Sequence, residues 1–131
     1  TVGSSGGTVT ARGNLVANNI LGYSVISNKT GINVANNPVV TLIDEFDPAI
    51  FRSAKYLIKA GSDGGYQSIE VLLIHDDVDS YITVYGMVCT RNDDLDIVNI
   101  TANISSGNVR LYASGLYANT TVNLLPTYVK D

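Results

Sequence analysis

Hydrophobic and polar residues alternate regularly along residues 52–60, "RSAKYLIKA". From residue 54 onward apolar residues occupy the even positions, and the odd positions are mostly serine and lysine. Because successive side chains of a β-strand point to opposite faces, this period of two predicts a strand with one buried and one solvated face. The predicted buried set is Ala54, Tyr56, Ile58 and Ala60, and the predicted solvated set includes Ser53, Lys55 and Lys59.

Other segments also have the composition of strands. Residues 66–75 are denser in apolar side chains, which predicts a central strand buried on both sides. Residues 81–90 are rich in β-branched and aromatic side chains, with Gly86 indicating a bulge or close packing. Further strands are predicted at about 39–43, 96–104, 107–114 and 120–129, and less regular ones at about 8–16 and 20–27.

Turn residues separate these segments at short intervals, as in "AGSDGG" at 60–65 and "HDDVDS" at 75–80. Strands joined by such short turns run antiparallel, because a parallel crossover needs a dozen residues or more. The chain is therefore predicted to be all-β, an antiparallel β-sandwich of the jelly-roll or immunoglobulin-like kind with about 8 strands. Residues 44–54, with Asp47 before Pro48, predict a bend between strands with at most one helical turn.

The amino-acid composition of the chain changes near residue 43. Residues 1–43 contain Asn-rich breaks and predict a β-rich arm, whereas residues 44–131 predict a compact sandwich domain. The start at Thr1 in a Gly- and Ser-rich run, without Met, indicates a fragment, a processed product or a domain with upstream sequence missing.

Composition excludes several classes of function. The 131 residues are 45% hydrophobic and only 15% charged, with a formal net charge of −4. No run of Lys or Arg could follow a phosphate backbone, so nucleic acid is not expected as a partner. No apolar stretch approaches the roughly 20 residues that span a bilayer, so no membrane partner is expected. Cys89 is the only cysteine, which rules out an intrachain disulfide.

Few residue clusters suggest chemistry. The acidic clusters Asp76, Asp77, Asp79 and Asp93, Asp94, Asp96 could hold calcium, but one strand separates them and neither has calcium-loop spacing. They are interpreted as turn-capping acids at opposite ends of the sheet. His75 is the only histidine and is interpreted as structural, and Cys89 has no neighbour that would activate a thiol. No catalytic residue, metal or cofactor is predicted, and the chain is not expected to be an enzyme.

Eight tyrosines without a tryptophan leave carbohydrate binding open, since aromatic faces stack on sugar rings. Most of these tyrosines stand at positions inside predicted strands, where packing in the core or between subunits is the commoner role. The strand tyrosines are Tyr56, Tyr81, Tyr85 and Tyr112.

Four motifs of the chain, "FRSAKYLIKA", "YQSIEVLLIHDD", "YITVYGMVCT" and "ISSGNVRLYAS", together resemble a module of virion structural proteins of tailed bacteriophages. The module is found notably in large contractile-tailed phages, including those of marine cyanobacteria. The resemblance covers about residues 44–129 in collinear order, with Phe51, Val84 and Asp77 departing from the usual pattern. The matching residues are Arg52, Lys55, Tyr56, Gln67, Glu70, His75, Asp76, Tyr85, Gly86, Asn108, Val109 and Arg110.

The resemblance implies a non-enzymatic building block of a phage tail, baseplate or fibre that acts in the virion through contacts with other virion proteins. It implies structural roles for the motif residues, with Arg52 and Lys55 pairing with Glu70 across neighbouring strands. A capsid decoration protein is the alternative within the same class, and a receptor- or glycan-binding adhesin domain, recognising a host-surface glycan, is the alternative from another class.

A homo-oligomer, most simply a trimer, is also predicted. Residues 8–27 alternate apolar and small polar side chains with almost no charge, so they resemble an unprotected strand that pairs with a neighbouring subunit. The choice of a trimer rests on analogy with viral surface and fibre proteins. The alternative is that residues 1–43 fold back on their own sandwich.

Overall fold

The computed structural model describes residues 10, 12–13, 20–21, 24–26, 29–91 and 95–131. The described residues form ten strands and no helix. In chain order these are β1 (Ile20–Leu21), β2 (Ser24–Ile26), β3 (Lys29–Asn33), β4 (Thr41–Phe46), β5 (Phe51–Ser62), β6 (Gly65–His75), β7 (Ser80–Cys89), β8 (Val98–Ser105), β9 (Asn108–Gly115) and β10 (Thr121–Lys130).

The strands form two sheets, which confirms the predicted all-β sandwich. The large sheet has the order β1-β2-β10-β5-β6-β7, with β3 also paired to β10, and the small sheet has the order β4-β9-β8. Every pairing between named strands is antiparallel. Among the described residues no helix is long and apolar enough to cross a membrane.

The seven more regular strands predicted from the pattern between residues 39 and 130 correspond to β4 to β10. The bend after β4 is also confirmed: Asp47 caps it, since the Ala49 N–H donates to Asp47 Oδ1 at 2.8 Å. Strand β3, with the sequence KTGIN, is absent from the prediction because its single large apolar residue, Ile32, gives no period of two.

The core lies between the two sheets. Strand β5 contributes the four even-numbered residues predicted from its alternation, Ala54, Tyr56, Ile58 and Ala60, each at most 2% exposed. The small sheet and the loop that leads to it add apolar side chains from the opposite side: Ile43, Phe46, Ile97, Val98, Val109, Leu111 and Ala113.

The prediction that residues 66–75 are buried on both faces is wrong. In β6, Ile69, Val71 and Leu73 are at most 2% exposed, but Leu72 is 45% and Ile74 is 51% exposed. The small sheet covers only one face of the large one, so the alternate side chains of β6 point away from the core. The run of consecutive apolar residues therefore indicates a strand with two apolar sides, and the described residues cover only one of them.

The N-terminal segment is described in part. Residues 1–9, 11, 14–19, 22–23 and 27–28 lie outside the described residues, and with them most of the strands predicted at 8–16 and 20–27. The backbone of β2 pairs with β10, and Val34 and Ile43 are buried in the core. Strand β4 crosses the predicted boundary between residues 43 and 44. The intersubunit role of residues 1–43 stays a prediction.

Candidate functional site

The twelve residues singled out by the motifs form several separate groups. Arg52, at the start of β5, binds the C-terminal residue: its Nη2 lies 2.6 Å from Asp131 Oδ2 and its Nε donates to Asp131 Oδ1 at 2.9 Å. It also lies 3.3 Å from Asp77 in the turn after β6. The bidentate bond from Arg52 holds the pKa of Asp131 below its ordinary value. Arg52 does not pair with Glu70, which corrects that part of the prediction.

His75 is buried at the end of β6 and completes this group. The Asp77 N–H donates to His75 Nδ1 at 3.2 Å, so Nδ1 is the acceptor. The proton is then on Nε2, which donates to the Phe51 carbonyl oxygen at 2.7 Å. One ring nitrogen thus bonds to the backbone at the start of β5 and the other to the backbone of the turn after β6, so His75 holds these two ends together.

Lys55 and Glu70 meet on the outer face of the large sheet, as predicted. Lys55 Nζ lies 3.3 Å from Glu70 Oε1, on the diagonal between adjacent strands. The hydrogen bond from Lys55 to Glu70 raises the pKa of the lysine. Both side chains remain partly exposed, so the pair contributes to register and surface charge more than to core stability.

Gln67 ties β6 to the segment that enters β8. Its side-chain oxygen accepts the Ile97 N–H at 2.8 Å, and its Nε2 donates to Asp96 Oδ1 at 2.9 Å. Gln67 is only 2% exposed, so these bonds satisfy a buried amide that would otherwise be costly. The motif glutamine therefore holds the connection between the two sheets.

Tyr56 belongs to a buried polar cluster that sequence reasoning did not find. Asp44, 2% exposed, accepts a hydrogen bond from the Tyr128 hydroxyl at 2.5 Å and lies 2.5 Å from Lys29 Nζ. The Tyr56 hydroxyl is buried close to the Asp44 carboxylate, but it makes no well-aligned hydrogen bond to any of the described residues. Burial, and then the charge of Asp44, raise the pKa of both tyrosines. No spacing rule connects residues as distant as Asp44 and Tyr128, so only the fold reveals this cluster.

The remaining motif residues lie at the ends of strands or at positions where two strands pair. Gly86 has φ +65° beside a register shift between β6 and β7, which confirms the predicted bulge. Tyr85 lies opposite Glu70 in the same pairing. Asn108 begins β9, and Arg110 Nε lies 3.0 Å from Glu45 Oε2 on the small sheet.

The acidic turn at residues 76–79 acts as a cap. Asp76 Oδ1 accepts the backbone N–H of Val78 at 3.0 Å and of Asp79 at 2.7 Å, and its Oδ2 accepts the Tyr81 hydroxyl. The backbone amides hold the pKa of Asp76 below its ordinary value. Asp96, bonded to Gln67, lies at the opposite end of β6, and Asp93 and Asp94 lie outside the described residues.

Within the described part of the chain, no group of three or more His, Cys, Asp or Glu side chains is placed to hold a metal ion. Cys89 is half-buried at the end of β7, and its sulfur accepts the Arg91 N–H at 3.5 Å. His75 and Cys89 lie at opposite ends of the β6–β7 pair, so they form no dyad.

The outer face of the large sheet is the most distinctive surface. We define it by three rows across β10, β5, β6 and β7, read from the strand registers. Six apolar or aromatic side chains on it are 41–54% exposed. The rows are Val129-Ser53-Ile74-Tyr81, Thr127-Lys55-Leu72-Thr83 and Leu125-Leu57-Glu70-Tyr85. An open groove of about 460 Å³ lies over the first two rows, and one of about 200 Å³ is lined in part by Leu57 and Leu125.

Comparisons with known proteins give limited similarity. No family model matches the chain. No curated protein matches it. Two solved structures resemble it weakly. One is tailspike protein gp49 of Acinetobacter baumannii bacteriophage Fri1, a capsular polysaccharide depolymerase, with a TM-score of 0.46 and 15% identity over 85% of this chain. The other is the tailspike protein of Acinetobacter phage vB_ApiP_P1, with a TM-score of 0.43 and 14% identity over 95% of this chain.

This chain spans 19% of the first tailspike and 25% of the second. At these TM-scores and identities the likeness carries no argument about function.

Proposed function

We propose that this chain is a non-enzymatic structural module of a tailed-bacteriophage virion, in the tail, baseplate or fibres, that acts through assembly contacts. The main support for the proposal is the set of contacts that the motif residues make. Arg52, Gln67 and His75 bind backbone or carboxylate groups of the chain itself and hold strand ends and sheets together. Contacts of this kind specify a fold rather than a reaction, and the motif series resembles that of virion structural proteins.

The outer face supports assembly rather than chemistry. Its three rows contain twelve side chains, of which only Lys55 and Glu70 are charged, and those two neutralise each other. An exposed, largely apolar face is typical of a contact surface between proteins.

Quantitative mass spectrometry of purified particles of the encoding phage tests the proposal. We expect the chain to be present in the intact virion, at a copy number in the tens or fewer relative to the major capsid protein, as for tail or baseplate parts. A copy number in the hundreds would indicate a capsid decoration protein instead. Absence from washed particles would contradict a virion role.

A glycan array with the full chain tests the adhesin alternative, for which exposed tyrosines such as Tyr66 and Tyr81 are the supporting observation. We expect no specific binding. Binding to one capsular or lipopolysaccharide glycan that is lost on Tyr81→Ala or Tyr66→Ala would favour the adhesin function.

A further inference from the structure

The outer face is an uncovered second apolar surface of the fold. Ile74 is 51% exposed and Leu72 45% exposed on β6, although the same strand supplies three core residues on its other face. Tyr81 on β7 lies directly opposite Ile74, and beyond β5 the exposed residues Val129 and Leu125 on β10 extend the same face. Exposed apolar residues scattered singly need no explanation, but a set joined across four adjacent strands does.

The charges of this face are self-complementary. Lys55 and Glu70 place one positive and one negative group 3.3 Å apart among apolar neighbours. Lys59, which follows Leu57 on the same face of β5, places its Nζ 5.8 Å from the ring centroid of Tyr66. A partner of a single charge sign would gain from one member of the Lys55–Glu70 pair and be repelled by the other. A second copy of the face has both signs at the required spacing.

The net charge of the chain favours contact at this face over its other surfaces. The chain carries a formal charge of −4, and much of its acid is at the turns, as in Asp76, Asp77 and Asp79. Two copies therefore repel through their turns and approach without repulsion through the neutral outer face.

The outer face ends at an edge strand that has little protection. Strand β7 pairs with β6 and with no other strand among the described residues. Residues 80–89, "SYITVYGMVC", contain no Asp, Glu, Lys, Arg or Pro, and Val84 and Val88 are 46% and 71% exposed. Edge strands that stay free in solution usually carry charges or proline, and here only the bulge at Gly86 interrupts the edge.

We propose that the outer face, from β10 to the β7 edge, is the surface through which copies of this chain contact one another. The inference rests on the proposed function, because it names the partner of an assembly module. A face that pairs with a second copy of itself does so about a two-fold axis, so this contact joins copies in pairs, and a trimer would need a further contact. The contact is separate from any that residues 1–43 supply.

Light scattering on the full chain from about 1 to 100 μM tests the contact, since micromolar affinities are visible in that range. We compare the wild type with Leu72→Asp and Leu125→Asp, which place a charge on the face from two different strands. Val39→Asp is the matched control, because Val39 is 58% exposed in the loop before β4, away from the face. Circular dichroism shows whether each variant is folded.

We expect an oligomeric wild type and control. Each face variant should stay folded and need at least about tenfold more protein to associate, because a buried unpaired charge costs more than the 1.4 kcal/mol that a factor of ten represents. A monomeric wild type across the range would overturn the inference. So would a folded face variant that associates like the wild type.

A charge-exchange experiment remains decisive even where an aspartate variant fails to fold. Lys55→Glu makes the face negative and Glu70→Lys makes it positive, so each variant should associate more weakly than the wild type. An equimolar mixture should form mixed oligomers at least about tenfold more readily than either variant forms its own. A role confined to one chain predicts no preference for mixing, and that result would overturn the inference.

The outcomes for the two proposals are distinguishable. Absence of the chain from purified particles would remove the virion function and leave the measured contact between copies intact. A chain that is abundant in particles but monomeric in solution, with no preference in the mixture, would remove the contact alone.

Discussion

The two faces of the β5–β6 pair differ in what covers them, although both are apolar. On the inner face, Ile58, Val71 and Leu73 lie against the small sheet and are at most 2% exposed. On the outer face, Leu57, Leu72 and Ile74 are 45–51% exposed, with nothing from the described part of the chain over them. The same residue types on the same strands thus stabilise the fold on one side and remain available for assembly on the other. The composition of a strand shows that a face is apolar but not which protein covers it.

Truncating the adjacent residues Leu72 and Leu73 gives the most direct test of the difference between the outer and inner faces. Leu73→Ala should destabilise the monomer by about 2–5 kcal/mol, because it leaves a cavity in the core. Leu72→Ala, one residue earlier, should cost less than about 1 kcal/mol, because its side chain is already half in water. Urea unfolding at a concentration where the chain is monomeric measures both.

Equal losses at residues 72 and 73 would contradict the separation of the two faces. A large loss at Leu72 that appears only at high protein concentration would instead support the contact between copies, since association adds to apparent stability.

A second comparison concerns two buried tyrosines on the inner face. Tyr128→Phe removes the hydroxyl that donates to buried Asp44, and should cost about 1.5–3 kcal/mol, as expected for a hydrogen bond to a charged group. Tyr56→Phe removes a buried hydroxyl that makes no well-aligned hydrogen bond to the described residues, so it should cost clearly less than Tyr128→Phe. Thermal unfolding of the two variants under one condition gives the difference.

The test is whether Tyr128→Phe lowers the stability more than Tyr56→Phe does. A cost at Tyr56→Phe as large as at Tyr128→Phe would mean that the Tyr56 hydroxyl shares the bond to Asp44.

A smaller effect is expected from the ion pair of the outer face. A double-mutant cycle with Lys55→Ala and Glu70→Ala should give a small favourable coupling that weakens at high salt, because the pair is partly exposed. The same cycle with Arg52→Ala in place of Lys55→Ala should give no coupling, since Arg52 pairs with Asp131 and Asp77. Coupling between Arg52 and Glu70 would show that the assignment of partners is wrong.

The smallest effect is expected from the cap of the acidic turn and its pH dependence. The pKa of Asp76 is lowered from 3.8 because backbone amides of Asp79 and Val78 donate to its carboxylate. A carboxylate with a depressed pKa stabilises the fold above its unfolded pKa, and this contribution is lost as pH falls through the folded value.

Asp76→Ala should therefore lower the melting temperature at pH 7, and the gap to the wild type should narrow below pH 3.8. Asp79→Ala is the control, since it removes a neighbouring carboxylate that accepts none of these bonds. A gap that stays constant from pH 7 to below that value would exclude the ionised cap as its cause.

Much of the fold follows from local sequence rules. The alternation in 52–60 predicts both the strand and its buried face, and Asp47 and Gly86 predict the bend and the bulge through their backbone preferences. The approach of Lys55 to Glu70 follows from the predicted turn at residues 60–65, because this turn makes β5 and β6 antiparallel neighbours. These features depend on residues close in sequence or joined by one hairpin.

The rest depends on distant contacts. Asp44 meets Tyr128 only because β4 and β10 lie in facing sheets, and Gln67 meets Asp96 because the chain crosses from one sheet to the other there. The exposure of Leu72 follows from the small sheet covering one side only, which no pattern within residues 66–75 records. A polar residue in a strongly apolar stretch, such as Asp44 after "VVTLI", is the one signal that could have pointed to the buried cluster.

Hydroxyl-radical footprinting of the unmodified chain, at dilute and at associating concentrations, tests most directly whether the outer face is covered by assembly. We expect Leu72 and Tyr81 to lose reactivity as the concentration rises, whereas Val78, 76% exposed in the turn between β6 and β7, keeps its reactivity. The same pattern in intact particles would show that the face is covered there too. Unchanged reactivity of Leu72 and Tyr81 in a chain that has associated would contradict the account.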